Sequence, residues 1–216
     1  TSAKSLIVRL SLGYSDESDL KPLLPLLEGK INRDIYIEPI KIKENEIKFQ
    51  FHSFDIVYMS LPLINHLPGV RFISNGAKVT ERIGIRGKCE KQVCVNDFNS
   101  TEYFFMRIFD SKRQVNKGEN CECKVEFENI DEDLTALWKE KCGDLPIVLK
   151  LIAANMDDSQ ISRVKVAIRE SASLMIDSNL SQFSKELGLK GRESVNCFIS
   201  KCKEVGLCSN NKYFIL

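Results

Sequence analysis

Asp144-Leu145-Pro146-Ile147-Val148-Leu149-Lys150-Leu151-Ile152-Ala153-Ala154-Asn155 is an apolar run that ends on a polar residue, and Met156-Asp157-Asp158-Ser159 comes directly after it. An apolar run of strand length that meets a cluster of capping residues reads as a buried strand feeding a helix. Beyond it, Ile161, Val164, Ala167, Ile168, Leu174 and Met175 fall largely on one helical face, which predicts an amphipathic helix over 159–179. This strand-cap-helix unit points to an α/β fold.

The chain of 216 residues is long enough to bury a substantial core, as one α/β domain or as two lobes sharing crossovers. Lys and Arg number 31 against 30 acids, so a net charge of +1 gives no field to draw phosphate backbones or anionic membranes. Nucleic acid and membrane are therefore not expected partners. No run approaches the ~20 apolar residues of a spanning helix. The stretch Ser5–Leu12 is interrupted by Arg9 and is too short for a signal-peptide core. A soluble cytoplasmic protein, monomer or homodimer, is expected; the chain does not begin with Met, which leaves room for a removed leader. The 8 cysteines form no Cys-x-x-Cys pair, and Cys197 and Cys202 lie five apart on a predicted helix without sharing its face well. Packing or an occasional disulfide is preferred over metal, and no metal or cofactor is expected.

Strands are predicted over Ser5–Leu12, Ile35–Ile42, Phe54–Ser60, Val70–Ser74, Arg82–Arg86, Gln92–Asn96 and Cys121–Glu128. Pro22 and Pro25 keep any helix in Asp16–Leu27 short or broken. Leu61–Leu67 reads as a short helical turn closed by Pro68-Gly69. Helices are predicted from Asn99-Ser100-Thr101 through Phe109, over Asp131–Cys142, Ser181–Leu189 and Glu193–Gly206. Alternating strands and helices indicate largely parallel sheets. A weakly hydrophobic middle suggests a reduced second lobe, 85–148, inserted between 1–84 and 149–216, with the hinge near Leu145–Leu151.

In such folds ligands bind at the carboxyl ends of strands beside helix N-termini. Three places qualify: Gly13-Tyr14-Ser15-Asp16-Glu17-Ser18-Asp19, with Ser15 and Ser18 as its hydroxyls; Ser60; and Asn99-Ser100-Thr101. Taken singly, each serine or threonine is a helix cap serving its own backbone. Together, on facing lobes, they converge on a cleft suited to a carboxylate. His52 and His66 lie in or near turns and read as surface or structural residues, and Trp138 as a core or lobe-interface anchor. Lys112, Arg113 and Lys117 read as a solvated loop. Asn99-Ser100-Thr101 and Asn179-Leu180-Ser181 match glycosylation sequons, which matter only in a secreted protein.

Leu10-Ser11-Leu12-Gly13-Tyr14-Ser15, Leu27-Glu28-Gly29-Lys30-Ile31 and Phe54-Asp55-Ile56-Val57-Tyr58-Met59-Ser60 resemble the first lobe of the futalosine-pathway menaquinone enzymes, the chorismate dehydratases and dihydroxynaphthoate synthases. Ser100-Thr101 resembles the hydroxyl pair that opens their second-lobe helix. Trp138 with Gly143-Asp144-Leu145-Pro146-Ile147 resembles their return crossover. The resemblance implies a two-lobed fold like that of type II periplasmic solute-binding proteins, binding a carboxylated small molecule through Ser60, Ser100 and Thr101. It is nearer to 1,4-dihydroxy-6-naphthoate synthase than to the dehydratase. Two departures stand out. Ser15-Asp16-Glu17-Ser18-Asp19 replaces the family's proline-rich loop with negative charge, and residues 111–137 hold no histidine where the family places its catalytic one. The catalytic residue is thus unassigned. The chain reads as a lyase or cyclase of that pathway, as a non-catalytic solute-binding protein on the same cleft, or as a structural partner that has lost the ligand.

Overall fold

The computed structural model describes residues 7–176 and 182–216. β1 (Val8–Tyr14) buries alternate residues at its start and all three at its end. Asp16 then accepts from the Ser18 N–H while Asp19 accepts from the Asp16 N–H, a reciprocal cap that opens a 3-10 turn over Glu17–Leu23. Pro22 and Pro25 limit the adjoining α1 (Leu24–Leu27) to a single turn. β2 (Ile35–Lys41), α2 (Ile47–Gln50), β3 (Ile56–Ser60), the 3-10 turn Leu61–His66 and β4 (Val70–Thr80) complete the first passage. The second lobe is β5 (Gly84–Arg86), β6 (Gln92–Val95), α3 (Thr101–Phe109), β7 (Gln114–Lys117), β8 (Lys124–Glu126), β9 (Glu132–Asp133) and α4 (Thr135–Cys142). β10 (Ile147–Ala154), α5 (Asp158–Ile176), β11 (Phe183–Ser184), α6 (Gly188–Glu204) and β12 (Tyr213–Ile215) return to the first.

Two sheets result. One runs β11-β4-β10-β3-β1-β2, with β12 also on β4; the other runs β7-β6-β8-β5-β9. The largely parallel arrangement expected is instead mixed: β1 is parallel to β2 and β3, whereas β10 is antiparallel to β3 and β4. The cause is the path of the chain. It leaves the first sheet along β4 and re-enters beside it, with Ile147 opposite Thr80, so β10 must run the other way. β4 outlasts the expected Val70–Ser74 because Gly76, at φ 74°, turns it through an irregularity and lets pairing resume at Lys78. An added Cβ at Gly76 would lie 2.9 Å from Ile168 Cγ2 and 3.2 Å from the Tyr58 hydroxyl.

α5 buries Ile161, Val164, Ala167 and Ile168 as its pattern requires, while Leu174 is exposed; the last residues of the predicted helix, 177–179, lie outside the described residues. The start of the Ser5–Leu12 strand and the sequon Asn179-Leu180-Ser181 also lie outside them. The helix expected over Ser181–Leu189 is not formed in its described part: Phe183–Ser184 pairs with Ala77–Lys78 as a strand, and α6 starts only at Gly188. Asp131–Asp133 is likewise not helical. Glu132–Asp133 pairs with β5, and the Asp133 carboxylate caps Thr135, where α4 begins. Lys124–Glu126 alone of Cys121–Glu128 is a strand. Arg113 is no solvated residue: its guanidinium is 1% exposed, paired with Asp110 and Glu132, and donates to the Cys89 carbonyl.

All eight cysteines are in disulfides: Cys89–Cys123 and Cys94–Cys121 within the second lobe, Cys142–Cys197 from α4 to α6, and Cys202–Cys208 behind α6. Cys197 and Cys202 thus serve different partners. Around Cys142–Cys197, Trp138 packs edge-on to Phe109 with ring centroids 5.5 Å apart and lies 6.4 Å from Phe198, while its indole N–H donates to the Leu145 carbonyl at 2.8 Å. Trp138 is therefore the interface anchor expected, holding α3, α4 and α6 together beside the return crossover. Cys142 and Cys197 are 55 residues apart, so replacing both by Ser releases about 4 kcal/mol of loop constraint. Urea unfolding should show that loss as a lower midpoint; a midpoint equal to that of the parent protein would contradict the role assigned to this bond.

Candidate functional site

β1, β2 and β3 end on the side of the first sheet that faces the second lobe, and a cleft of about 670 Å³ opens there. Its walls come from both sheets: Ser15, Glu44, Ser60, Lys78 and Lys150 on one side, and Asn96, Asp97, Ser100, Glu102, Lys124 and Glu126 on the other. The volume lies in the range of small-molecule sites, roughly 300–1,000 Å³.

Sheet register builds the floor. Lys150 on β10 stands opposite Ser60 on β3 and opposite Lys78 on β4, so two ammonium groups are neighbours across adjacent strands. Like charges in that position repel. The conflict is resolved by Asp19, whose side chain is fully buried: one carboxylate oxygen is 2.8 Å from Lys150 Nζ and the other 3.4 Å from Lys78 Nζ. Glu44 adds a second carboxylate 3.7 Å from Lys150 Nζ. Burial works against the Lys150 charge, but Asp19 and Glu44 outweigh it and hold the ammonium above the ordinary lysine range.

The serines are tied into this network. Ser60 donates to Glu44 at 2.7 Å, Ser15 donates to the other oxygen of the same carboxylate, and Lys150 donates to Ser15 at 3.2 Å. Ser18 does not line the cleft; it accepts from Lys78 at 3.1 Å and so lies behind the floor. Ser100 lines the cleft while capping α3, donating to the Asp97 carbonyl and accepting from the Tyr103 N–H. Thr101 is buried, bridging the Leu61 N–H to the Leu149 carbonyl, and joins α3 to the first lobe instead of facing the cleft. Of the five predicted residues, Ser15, Ser60 and Ser100 come together, and Ser18 and Thr101 support the walls.

Glu102, the residue after Thr101, lines the cleft from the first turn of α3. Burial pushes its carboxyl above the ordinary glutamate range, against the opposing pull of its own backbone N–H and of Lys150 and Lys78. A carboxylate perturbed by burial inside a cleft is a functional candidate on physical grounds. Glu44, Lys78, Lys150 and Glu102 were not singled out from sequence. Lys150 carries the one legible signal, a lone charge inside an otherwise apolar strand. The histidines are elsewhere: His52 and His66 line a separate cavity of about 220 Å³ with Arg71 and Asn155, where burial and Lys48 hold His66 below its ordinary value. No group of three or more His, Cys, Asp or Glu among the described residues is arranged to hold a metal. No described helix is long and apolar enough to cross a membrane.

No family model and no curated protein matches the chain. Solved structures do. Protein AF1704 from Archaeoglobus fulgidus superposes with a TM-score of 0.78 at 13% identity, over 92% of this chain and 98% of that one. An ABC transporter protein from Parabacteroides distasonis gives 0.58 at 10% identity, over 97% and 98% of the two chains. The Candida albicans CA3427 gene product, described as having the generic periplasmic binding protein structural fold, gives 0.54 at 12% identity over 94% and 97%. The chain thus has a mixed α/β, two-lobed, periplasmic-binding-protein-like fold.

The floor depends on Asp19. Asp19→Asn leaves two partly buried ammonium groups side by side with Glu44 as their remaining carboxylate, a loss of about 3–5 kcal/mol. Chemical denaturation should report it, and a variant as stable as the parent would refute the account of the floor.

Proposed function

We propose that this chain is a small-molecule-binding protein that takes its ligand between the two lobes and does not transform it. The observation that carries the reading is the convergence of Ser15, Ser60 and Ser100 from separate strand ends and a helix cap on one cleft of ligand size. The fold, shared with solute-binding proteins, supports it as analogy. The binding of a carboxylate through these hydroxyls, implied by the family resemblance, fits this floor poorly. The floor lysines already face Asp19 and Glu44, the Ser15 and Ser60 hydroxyls already donate to Glu44, and Thr101 is buried out of reach.

A second reading, the futalosine-pathway lyase, is favoured by one observation: Glu102, whose carboxyl burial raises above the ordinary glutamate range, lines the cleft where an acid-base group would stand. Against it stands the position of both histidines in another cavity. Incubation with chorismate or cyclic dehypoxanthine futalosine should yield no product by mass spectrometry, and product formation would establish the lyase instead.

Four disulfides form and persist in an oxidising environment, and on that ground the proposed site of action is an oxidising compartment in place of the cytoplasm expected from the sequence.

The solute-binding reading is tested by thermal scanning against a panel of small polar solutes spanning cations, anions and neutral molecules. A solute present at one hundred times its Kd should raise Tm by roughly 5 °C or more. Ser15→Trp, which fills the cleft, should abolish that shift. A panel that leaves Tm unchanged, or a shift that survives Ser15→Trp, would overturn the reading.

A further inference from the structure

The cleft differs in charge from the molecule around it. The chain carries +1 overall, yet the cleft is lined by seven carboxylates and four lysines. Most of these groups already have partners. Glu44 receives Ser15, Ser60 and Lys150; Glu17 lies 3.6 Å from Lys41; Asp97 lies 3.5 Å from Lys117; and Glu126 lies 3.8 Å from Arg86. Lys78 and Lys150 are held by Asp19 from beneath. Asp16 is exposed and accepts from the Ser18 N–H, and Glu119, which lines the cleft from the second lobe with Lys124 and without an ion pair among the described residues, is exposed as well. Glu102 remains, with no ion pair and no side-chain bond to another residue among those described.

We infer that the ligand of the cleft is an organic cation, a small molecule bearing a primary amine or guanidinium group, and that Glu102 is the residue that receives that group. The inference rests on the cleft being the binding site proposed above, and it names the ligand class for that site. A carboxylate partly withdrawn from water and given no partner is costly to keep, and an N–H cation placed against it forms charge-assisted hydrogen bonds that restore what burial removed. An incoming anion meets the reverse situation: Glu102 repels it, and the two floor lysines that would attract it are already neutralised. The excess of carboxylates in a low-dielectric cleft also concentrates cations at its mouth.

Titration calorimetry and thermal scanning with putrescine, agmatine and glutarate test this at low ionic strength. Agmatine or putrescine should bind and raise Tm, and glutarate should not. Glu102→Gln should weaken the bound amine at least tenfold. The free variant should nevertheless melt no lower than the parent, because burial disfavours the charge that Gln lacks; this separates lost binding from lost folding. Glutarate binding that Ser15→Trp abolishes would sink the cation inference and leave the solute-binding reading standing. Equal affinity of the amine for the parent and Glu102→Gln would remove Glu102 from the site, and failure of both amines to bind at millimolar concentration would overturn the inference outright.

Discussion

One buried carboxylate reconciles the first lobe with its own sheet register. Lys150 and Lys78 are fixed opposite each other by the pairing of β10 with β4, and neither can move away without breaking that pairing. Asp19 lies between them because the reciprocal cap with Asp16 sets the turn after β1 and points the carboxylate inward. The strand ends, the 3-10 turn and the cleft floor are therefore one electrostatic unit. Its consequence for function is indirect: a floor that carries two lysines is neutral in the folded protein, and the character of the cleft passes to the carboxylates around it.

The second constraint is the attachment of the small lobe. Two disulfides brace a five-stranded sheet whose strands are two to four residues long, too short to form a large core of their own. The lobe gains the rest of its support from outside itself. Trp138, Phe109 and Phe198 share a single aromatic cluster with α6, the Ser194 hydroxyl donates to the Pro146 carbonyl, and Cys142–Cys197 fastens the same helix covalently. The final helix thus packs against elements of both lobes.

Much of this was legible in sequence where a local pattern and the tertiary fold agree. The apolar run through Ala154, the Asp157 cap and the 3.6-residue period identified β10 and α5, and Ser100 capped its helix as its residue type suggests. Elements that exist only through a partner were not legible. Phe183–Ser184 and Tyr213–Ile215 are strands because β4 offers them an edge, and Glu132–Asp133 because β5 does. The site failed in the same way. Ser15, Ser60 and Ser100 sit at strand or helix ends, where hydroxyls announce themselves, whereas Glu44 lies after β2, outside every predicted element, and reaches the cleft only through chain topology. The cysteine pairing was beyond reach for a simpler reason: eight cysteines scattered over the chain do not encode which pairs approach in space.

The central claim is that Asp19 and Glu44 neutralise the lysine floor and leave Glu102 as the charged group that meets the ligand. A crystal structure with an organic cation bound measures this most directly. The account predicts the cationic nitrogen within hydrogen-bond distance of the Glu102 carboxylate, with Asp19 still bridging Lys78 and Lys150. A bound molecule whose anionic group sits on Lys150 Nζ, with Asp19 or Glu44 displaced from it, would contradict the claim.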